Sequence, residues 1–299
     1  FQSRIIMMWN VFLLGALWCM YIFKVRTTRD SACFGTTDEC GFYRMNCSKR
    51  GLIQVDKLQY GMHRGRCNST NNTYPTCKEE EIGCCANNSN DCFEDFNQNH
   101  TKSVLHNCSG RSSCGPVQAV PEPLTMSHNC SNQYNYVIVD YSCVSSTYLL
   151  NLGCDLTLTE PEVNVIFISA ANDTIFKNHS TNYTCTIVGI RNQRVNLELV
   201  DIRLQKPGDP PSCSSVRIFI PDANYSVQCS LENEQQNFVY KHPVVIHLDN
   251  EGRSQFSVEN MFNMSNGDYP KMIWINIEAI PPHTVSVTCR DQNFPDDIG

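Results

Sequence analysis

The sequence predicts an extracellular, disulfide-rich protein of two domains, the second an all-β sandwich. Three observations carry this. The chain has 299 residues, room for about two domains at ~100–200 residues each. It holds 18 cysteines, a density that points to disulfides formed in an oxidising compartment. Its later half alternates apolar and polar residues in short runs separated by turn formers, as half-buried strands require.

At the start of the chain, the run Trp9–Phe23 (WNVFLLGALWCMYIF) has the length of a signal-peptide core and falls short of the ~20 residues that span a bilayer. Residues 1–32 are therefore expected to be a signal peptide and short leader. An uncleaved signal-anchor is the alternative, because Lys24, Arg26 and Arg29 follow the apolar run and only Arg4 precedes it. The protein is thus expected to be secreted, or else signal-anchored at the cell surface.

Asn-x-Ser/Thr sequons agree with that route. Nine begin at Asn68, Asn71, Asn87, Asn99, Asn172, Asn178, Asn182, Asn224 and Asn263, and three more at Asn46, Asn107 and Asn129 carry Cys in the middle position. A bulky glycan needs solvent around it, so occupied sites must lie on exposed surface. The formal charge of −7 speaks against nucleic acid as a partner, which needs a basic footprint.

Apart from Cys19, twelve cysteines lie between Cys33 and Cys143 and five between Cys154 and Cys289. The break between the groups falls in a polar stretch, so residues 144–153 read as a linker. In the first group, Cys47, Gly51, Tyr60-Gly61, Cys67, Cys77, the CSGRSSC stretch (Cys108 to Cys114) and the closing CSNQYNYVIVDYSC (Cys130 to Cys143) follow one another in an order that resembles the sea-urchin-egg-lectin, or rhamnose- and galactose-binding, lectin domain. The resemblance covers residues 33–143.

It implies a small α+β domain of antiparallel sheets and one short helix, with disulfides Cys40–Cys67, Cys47–Cys143, Cys77–Cys130 and Cys108–Cys114. Either Cys33 or Cys40 could be the first framework cysteine. The stretch from Lys78 to Lys102, containing Cys84, Cys85 and Cys92, reads as an extra loop stapled by its own bridges; zinc is a poor fit in an oxidising compartment.

The family's sugar pocket uses two carboxylates, an Arg, a Lys and a Tyr. Here Tyr60 and Gly61 remain, Met62 stands at the Arg position, His128 at the Asp position and Asn135 at the Lys position. The residues left to bind a sugar are therefore Tyr60, Gly61, Arg64, His128, Asn132 and Asn135. Losing one buried hydrogen-bond partner costs about 1–3 kcal/mol, which a weak sugar complex can hardly spare. The other reading of Tyr60-Gly61 is a tight turn whose ring packs at the domain edge.

In the second domain, Asn196–Leu204, Ser214–Ile220, His242–Leu248 and Lys271–Ile280 alternate as strands, with turns at Pro210-Pro211, Asp249–Gly252 and Asn266–Asp268. The cysteines Cys154, Cys185, Cys213 and Cys229, with YTCTIV around the second, are similar to the CUB domain over residues 154–280. That resemblance implies bridges Cys154–Cys185 and Cys213–Cys229. It leaves 281–299 as a C-terminal tail and Cys289 unpaired, open to a disulfide-linked dimer. CUB domains often bind proteins through calcium, but Leu204-Gln205 and Ser214-Ser215 supply no hard ligands where the ion would need them.

No nucleophile elbow, zinc-protease motif or Cys/His pair is present, and the eight histidines are scattered. The sequence therefore predicts a binding protein without cofactor, metal or catalysis. Its partners are glycans of the cell surface or matrix, met through a degenerate lectin pocket, or extracellular proteins met without sugar binding.

Overall fold

A computed structural model describes residues 27–34, 39–47, 51–62, 90–120, 136–145, 149–151, 157–168, 182–204, 216–228, 238–259, 272–280 and 283–292. Among them the chain forms mostly antiparallel β-sheets with one short α-helix, braced by disulfides. It divides into two compact units, Phe1–Thr101 with Arg111–Val144, and Lys102–Gly110 with Ser145–Gly299.

The first unit holds a four-stranded sheet and a two-stranded one. Its strands are β1 (Thr28–Cys33), β2 (Phe42–Asn46), β3 (Gly51–Met62), β4 (Cys92–Asp95), β5 (Ser113–Gln118) and β6 (Tyr136–Ser145). The larger sheet runs β1-β6-β3-β4 and the smaller pairs β2 with β5. Central β6 is buried along both faces from Tyr136 to Ser142, which is why its sequence YVIVDYS is largely apolar, with only Asp140 and Ser142 breaking the run. That aspartate is neutralised in place: Arg29 on β1 donates Nε and Nη2 to its two oxygens at 2.6 and 2.8 Å, a bidentate geometry. β1 thus begins inside the stretch expected to be leader, and it is a sheet strand.

The supposed extra loop from Lys78 to Lys102 is in part regular structure. Cys92–Asp95 is β4, paired with Gln59–Met62 of β3, and Gln98 opens helix α1 (Gln98–Cys108). Asn97 caps that helix, its Oδ1 accepting the His100 amide at 2.8 Å. Cys47 is bonded to Cys143, the pairing the lectin resemblance implies. Cys33, Cys40, Cys92, Cys108 and Cys114 are also disulfide-bonded, so both candidates for the first framework cysteine are in bridges. Cys67, Cys77, Cys84, Cys85, Cys130, Cys154, Cys213 and Cys229 lie outside the described residues.

The second unit is built on two sheets. Its strands are β7 (Leu149–Asn151), β8 (Thr157–Glu160), β9 (Glu162–Ile168), β10 (Tyr183–Val188), β11 (Arg194–Arg203), β12 (Arg217–Ile220), β13 (Tyr225–Gln228), β14 (Phe238–His247), β15 (Arg253–Glu259), β16 (Met272–Ile280) and β17 (Val285–Asp291). One sheet runs β13-β12-β15-β10-β17-β8 and the other β14-β11-β16-β9-β7, all antiparallel except β7 beside β9. Alternate residues of both sheets, among them Ile187, Leu197, Ile218, Phe256, Ile275 and Val287, meet in a single hydrophobic core. The four strands expected from alternation are β11, β12, β14 and β16.

Two expectations fail here. Residues 149–151 of the expected linker form β7, and the stretch expected to be a tail contains β17: Val285, Val287 and Cys289 are buried in the core, and β17 lies between β10 and β8. That placement rewires the sulfur. Cys185 is bonded to Cys289 and not to Cys154, because the β10–β17 register sets the two residues directly opposite, with Cα atoms 4.0 Å apart. Cys289 is therefore neither an orphan nor available to link two chains.

The bridge closes a separation of 104 residues. Replacing Cys185 and Cys289 together with Ala should lower unfolding free energy by about 2–5 kcal/mol, measured by denaturant titration. An unchanged midpoint would show that β17 is held by packing alone.

Candidate binding site

Tyr60 sits near the end of β3, not in a turn. Within that strand Ile53, Val55, Leu58, Tyr60 and Met62 are buried, and Tyr60 is 1% exposed. Its ring stacks on Phe96 at a centroid distance of 4.3 Å and tilts against Phe34 at 6.2 Å. The hydroxyl is engaged by His100 Nδ1 on α1. With its ring covered and its hydroxyl against His100, Tyr60 presents almost no surface to a ligand.

Gly61 has an equally structural reason to be glycine. A Cβ there would lie 2.7 Å from Tyr136 Cε1, and closer still to Cε2 and Cζ, so the Tyr136 ring rests on bare backbone. Tyr136 is fully buried and donates its hydroxyl to Asp91 Oδ2 at 2.5 Å. Burial first, and then the bond to that carboxylate, pushes its pKa above the ordinary phenol value. Tyr60 and Gly61 are thus packing elements of the first unit. Arg64, His128, Asn132 and Asn135, the other residues expected to bind sugar, lie outside the described residues.

Five of the twelve sequon asparagines are described. Asn46, Asn99, Asn107 and Asn224 are exposed, and Asn182 is half-buried. Asn224 takes the left-handed conformation at φ 47° after a single 3-10 turn, which places it at a hairpin corner between β12 and β13. The remaining seven fall outside the described residues.

In the second unit, three aspartates lie in different surroundings. Asp222 is exposed at the same corner and accepts from Ser254 Oγ at 2.5 Å; Asp209 is outside the described residues; Asp201 is buried at 0% exposure, not solvated. A β-bulge between Leu199 and Asp201 explains this. Before it, Val195, Leu197 and Leu199 face the core; after it, Ile202 and Leu204 do, so Asp201 and Arg203 turn to the sheet's other face. There Arg203 Nε lies 3.0 Å from Asp201 Oδ1, and Trp274 Nε1 donates to Asn164 Oδ1 at 2.8 Å. Among the described residues, no group of three or more His, Cys, Asp or Glu could hold a metal ion.

The same sheet face is open toward the start of β11. Arg194 lies between His247 of β14 and Ile280 of β16. Two residues along, Asn196 lies between Val245 and Glu278, and Glu278 pairs with Glu162 of β9. Arg194, His247, Val245, Glu278 and Ile280 are all exposed. Partial burial and the neighbouring Glu162 raise the Glu278 carboxyl above its usual value. Sequence alternation gave β11, β14 and β16 but not β9, and not the cross-strand neighbours, which depend on register.

No family model and no curated protein matches the chain.

Two outcomes follow from this geometry. Tyr60→Phe should cost about 1 kcal/mol of unfolding free energy, while Gly61→Ala, which forces the Tyr136 ring to move, should cost about 1–3 kcal/mol; thermal melts of both variants check the pair. The second concerns pH. Burial raises the Asp201 carboxyl and Arg203 beside it opposes that rise. The folded chain therefore keeps this proton over a window in which the unfolded chain has lost it, and Asp201 stabilises less as pH climbs through that window. Denaturation of wild type and Asp201→Asn across a pH series should show wild type gaining on the variant as pH falls from neutral toward the ordinary carboxylate range.

Proposed function

We propose that the protein is a secreted, glycosylated, non-enzymatic binding protein: a small α+β lectin-like domain followed by a CUB-like β-sandwich, whose contacts are with other extracellular proteins. The observation that carries the choice of protein over sugar is the burial of Tyr60, the family pocket residue that this sequence retains, together with Gly61 beside it. With Tyr60 committed to Phe96 and His100, the lectin framework serves as architecture. Disulfides in both units support an oxidising compartment. The exposed asparagines at 46, 99, 107 and 224 suit glycan attachment. Among the described residues, no helix is long and apolar enough to cross a membrane; the run Trp9–Phe23 lies outside them.

Such a protein acts by presenting rigid surface. Disulfides and packed sheets limit the conformations that binding must freeze, which leaves more of the contact energy as affinity. Carbohydrate recognition is the second reading, favoured only by the cysteine order of the first unit.

A glycan array probed with the secreted protein, with free rhamnose and galactose as competitors, separates the two. The protein-contact reading expects no competable signal. Binding that rhamnose or galactose displaces, and that Asn135→Ala or Arg64→Ala abolishes, would replace it with the lectin reading. Enzymatic deglycosylation followed by mass spectrometry should convert Asn99 and Asn224 to Asp; if every sequon stayed unmodified, the secretory route itself would fail.

A further inference from the structure

Strand β1 limits where the leader can end. Between Phe23 and Thr36, three bonds carry a small residue directly before the cut and an uncharged small or aliphatic one two positions earlier: those after Thr27, Cys33 and Gly35. That small-x-small pattern is what the protease removing secretory leaders reads. A fourth candidate comes from a different chemistry. Arg26-Thr27-Thr28-Arg29 has the Arg-x-x-Arg spacing of proteases specific for basic residues, which cut after the second arginine.

The fold separates the four. Every residue from Thr28 to Cys33 is in register with β6, Thr28 opposite Tyr141 and Cys33 opposite Tyr136. Arg29 holds the Asp140 carboxylate at both oxygens, and Asp140 is 7% exposed. A cut after Arg29 would therefore leave a buried charge without its cation. Asp30 ties the strand to the smaller sheet as well, because its Oδ2 accepts the Arg44 amide of β2 at 2.6 Å. Cys33 is buried against Tyr136 and Ile138 and is disulfide-bonded. Cutting after Cys33 or Gly35 would remove the whole strand with that cysteine, and β6 would lose one of its two neighbours.

We infer that the leader is removed at the Thr27–Thr28 bond, so that the mature chain begins on the first residue of β1. Hydrolysis adds water across that amide, leaving a carboxylate on Thr27 of the released leader and an ammonium on Thr28. Both threonines are exposed, and the first β1 side chain that the fold uses, Arg29, stays in the protein. The cut lies four residues past the apolar run Trp9–Phe23 and carries Lys24 and Arg26 away with it. The inference rests on the secretory route proposed above and adds to it which of residues 1–32 the finished protein keeps.

The test is N-terminal sequencing of the full chain expressed in a secretory cell line, taken both from the medium and from the cells. The expected terminus is Thr28-Arg29-Asp30-Ser31. Thr27→Arg, which sets a charge directly before the bond, should abolish that terminus, whereas Thr27→Ala should keep it; Thr27 precedes β1, so neither change touches the sheet. A terminus anywhere else, Asp30, Phe34 and Thr36 included, overturns the inference while the secretory route stands. So does a glycosylated chain that keeps its apolar run, a Thr27→Arg chain that still begins at Thr28, or a Thr27→Ala chain that does not. A chain held inside the cell with every sequon unmodified fails the secretory route itself, and the inference falls with it.

Discussion

The fold of each unit is tied to a covalent link between an early strand and its last one. Cys47, just after β2, reaches Cys143 on β6 across 96 residues, and Cys185 on β10 reaches Cys289 on β17 across 104. Loops of this length are costly to close, so a bridge across each removes about 4–5 kcal/mol of unfolded-state freedom in the chain-entropy picture. The net stability of a whole domain is about 5–15 kcal/mol. Without oxidised sulfur, the sheets that position every surface described above would lose a large part of their margin.

The strands themselves were legible where periodicity and burial agree. β11, β12, β14 and β16 show the two-residue alternation of a sheet with one face in the core, and their sequences say so directly. β17 carries the same signal in Val285, Val287 and Cys289, but the four-cysteine spacing of the CUB resemblance ends before it, and that spacing misdirected both the domain boundary and the sulfur pairing. The physical arbiter was cross-strand register, a non-local property that no count of intervals between cysteines contains. The packing of the Tyr60 ring agrees with one of the two readings of that pair, but the turn does not: Gly61 suggested one, whereas its role is to let the Tyr136 ring lie against the backbone of a continuing strand.

The candidate surfaces were less legible than the fold. A single bulge at Leu199–Asp201 exchanges which residues of β11 face the core and makes Asp201 a buried partner of Arg203. On the same sheet, Arg194, Glu278 and Glu162 become neighbours only through pairing between strands far apart in sequence, so their joint charge pattern is invisible in composition. What the sequence did carry was chemistry with a strict local rule: cysteine density, sequon placement and strand alternation.

The account rests most directly on which sulfurs are joined. Mass spectrometric peptide mapping of the native, unreduced protein would identify the linked fragments. The account requires a fragment containing Cys185 joined to one containing Cys289, and a fragment with Cys47 joined to one with Cys143. Cys185 joined to Cys154, or Cys289 recovered as a free thiol or bonded to a second chain, would contradict it.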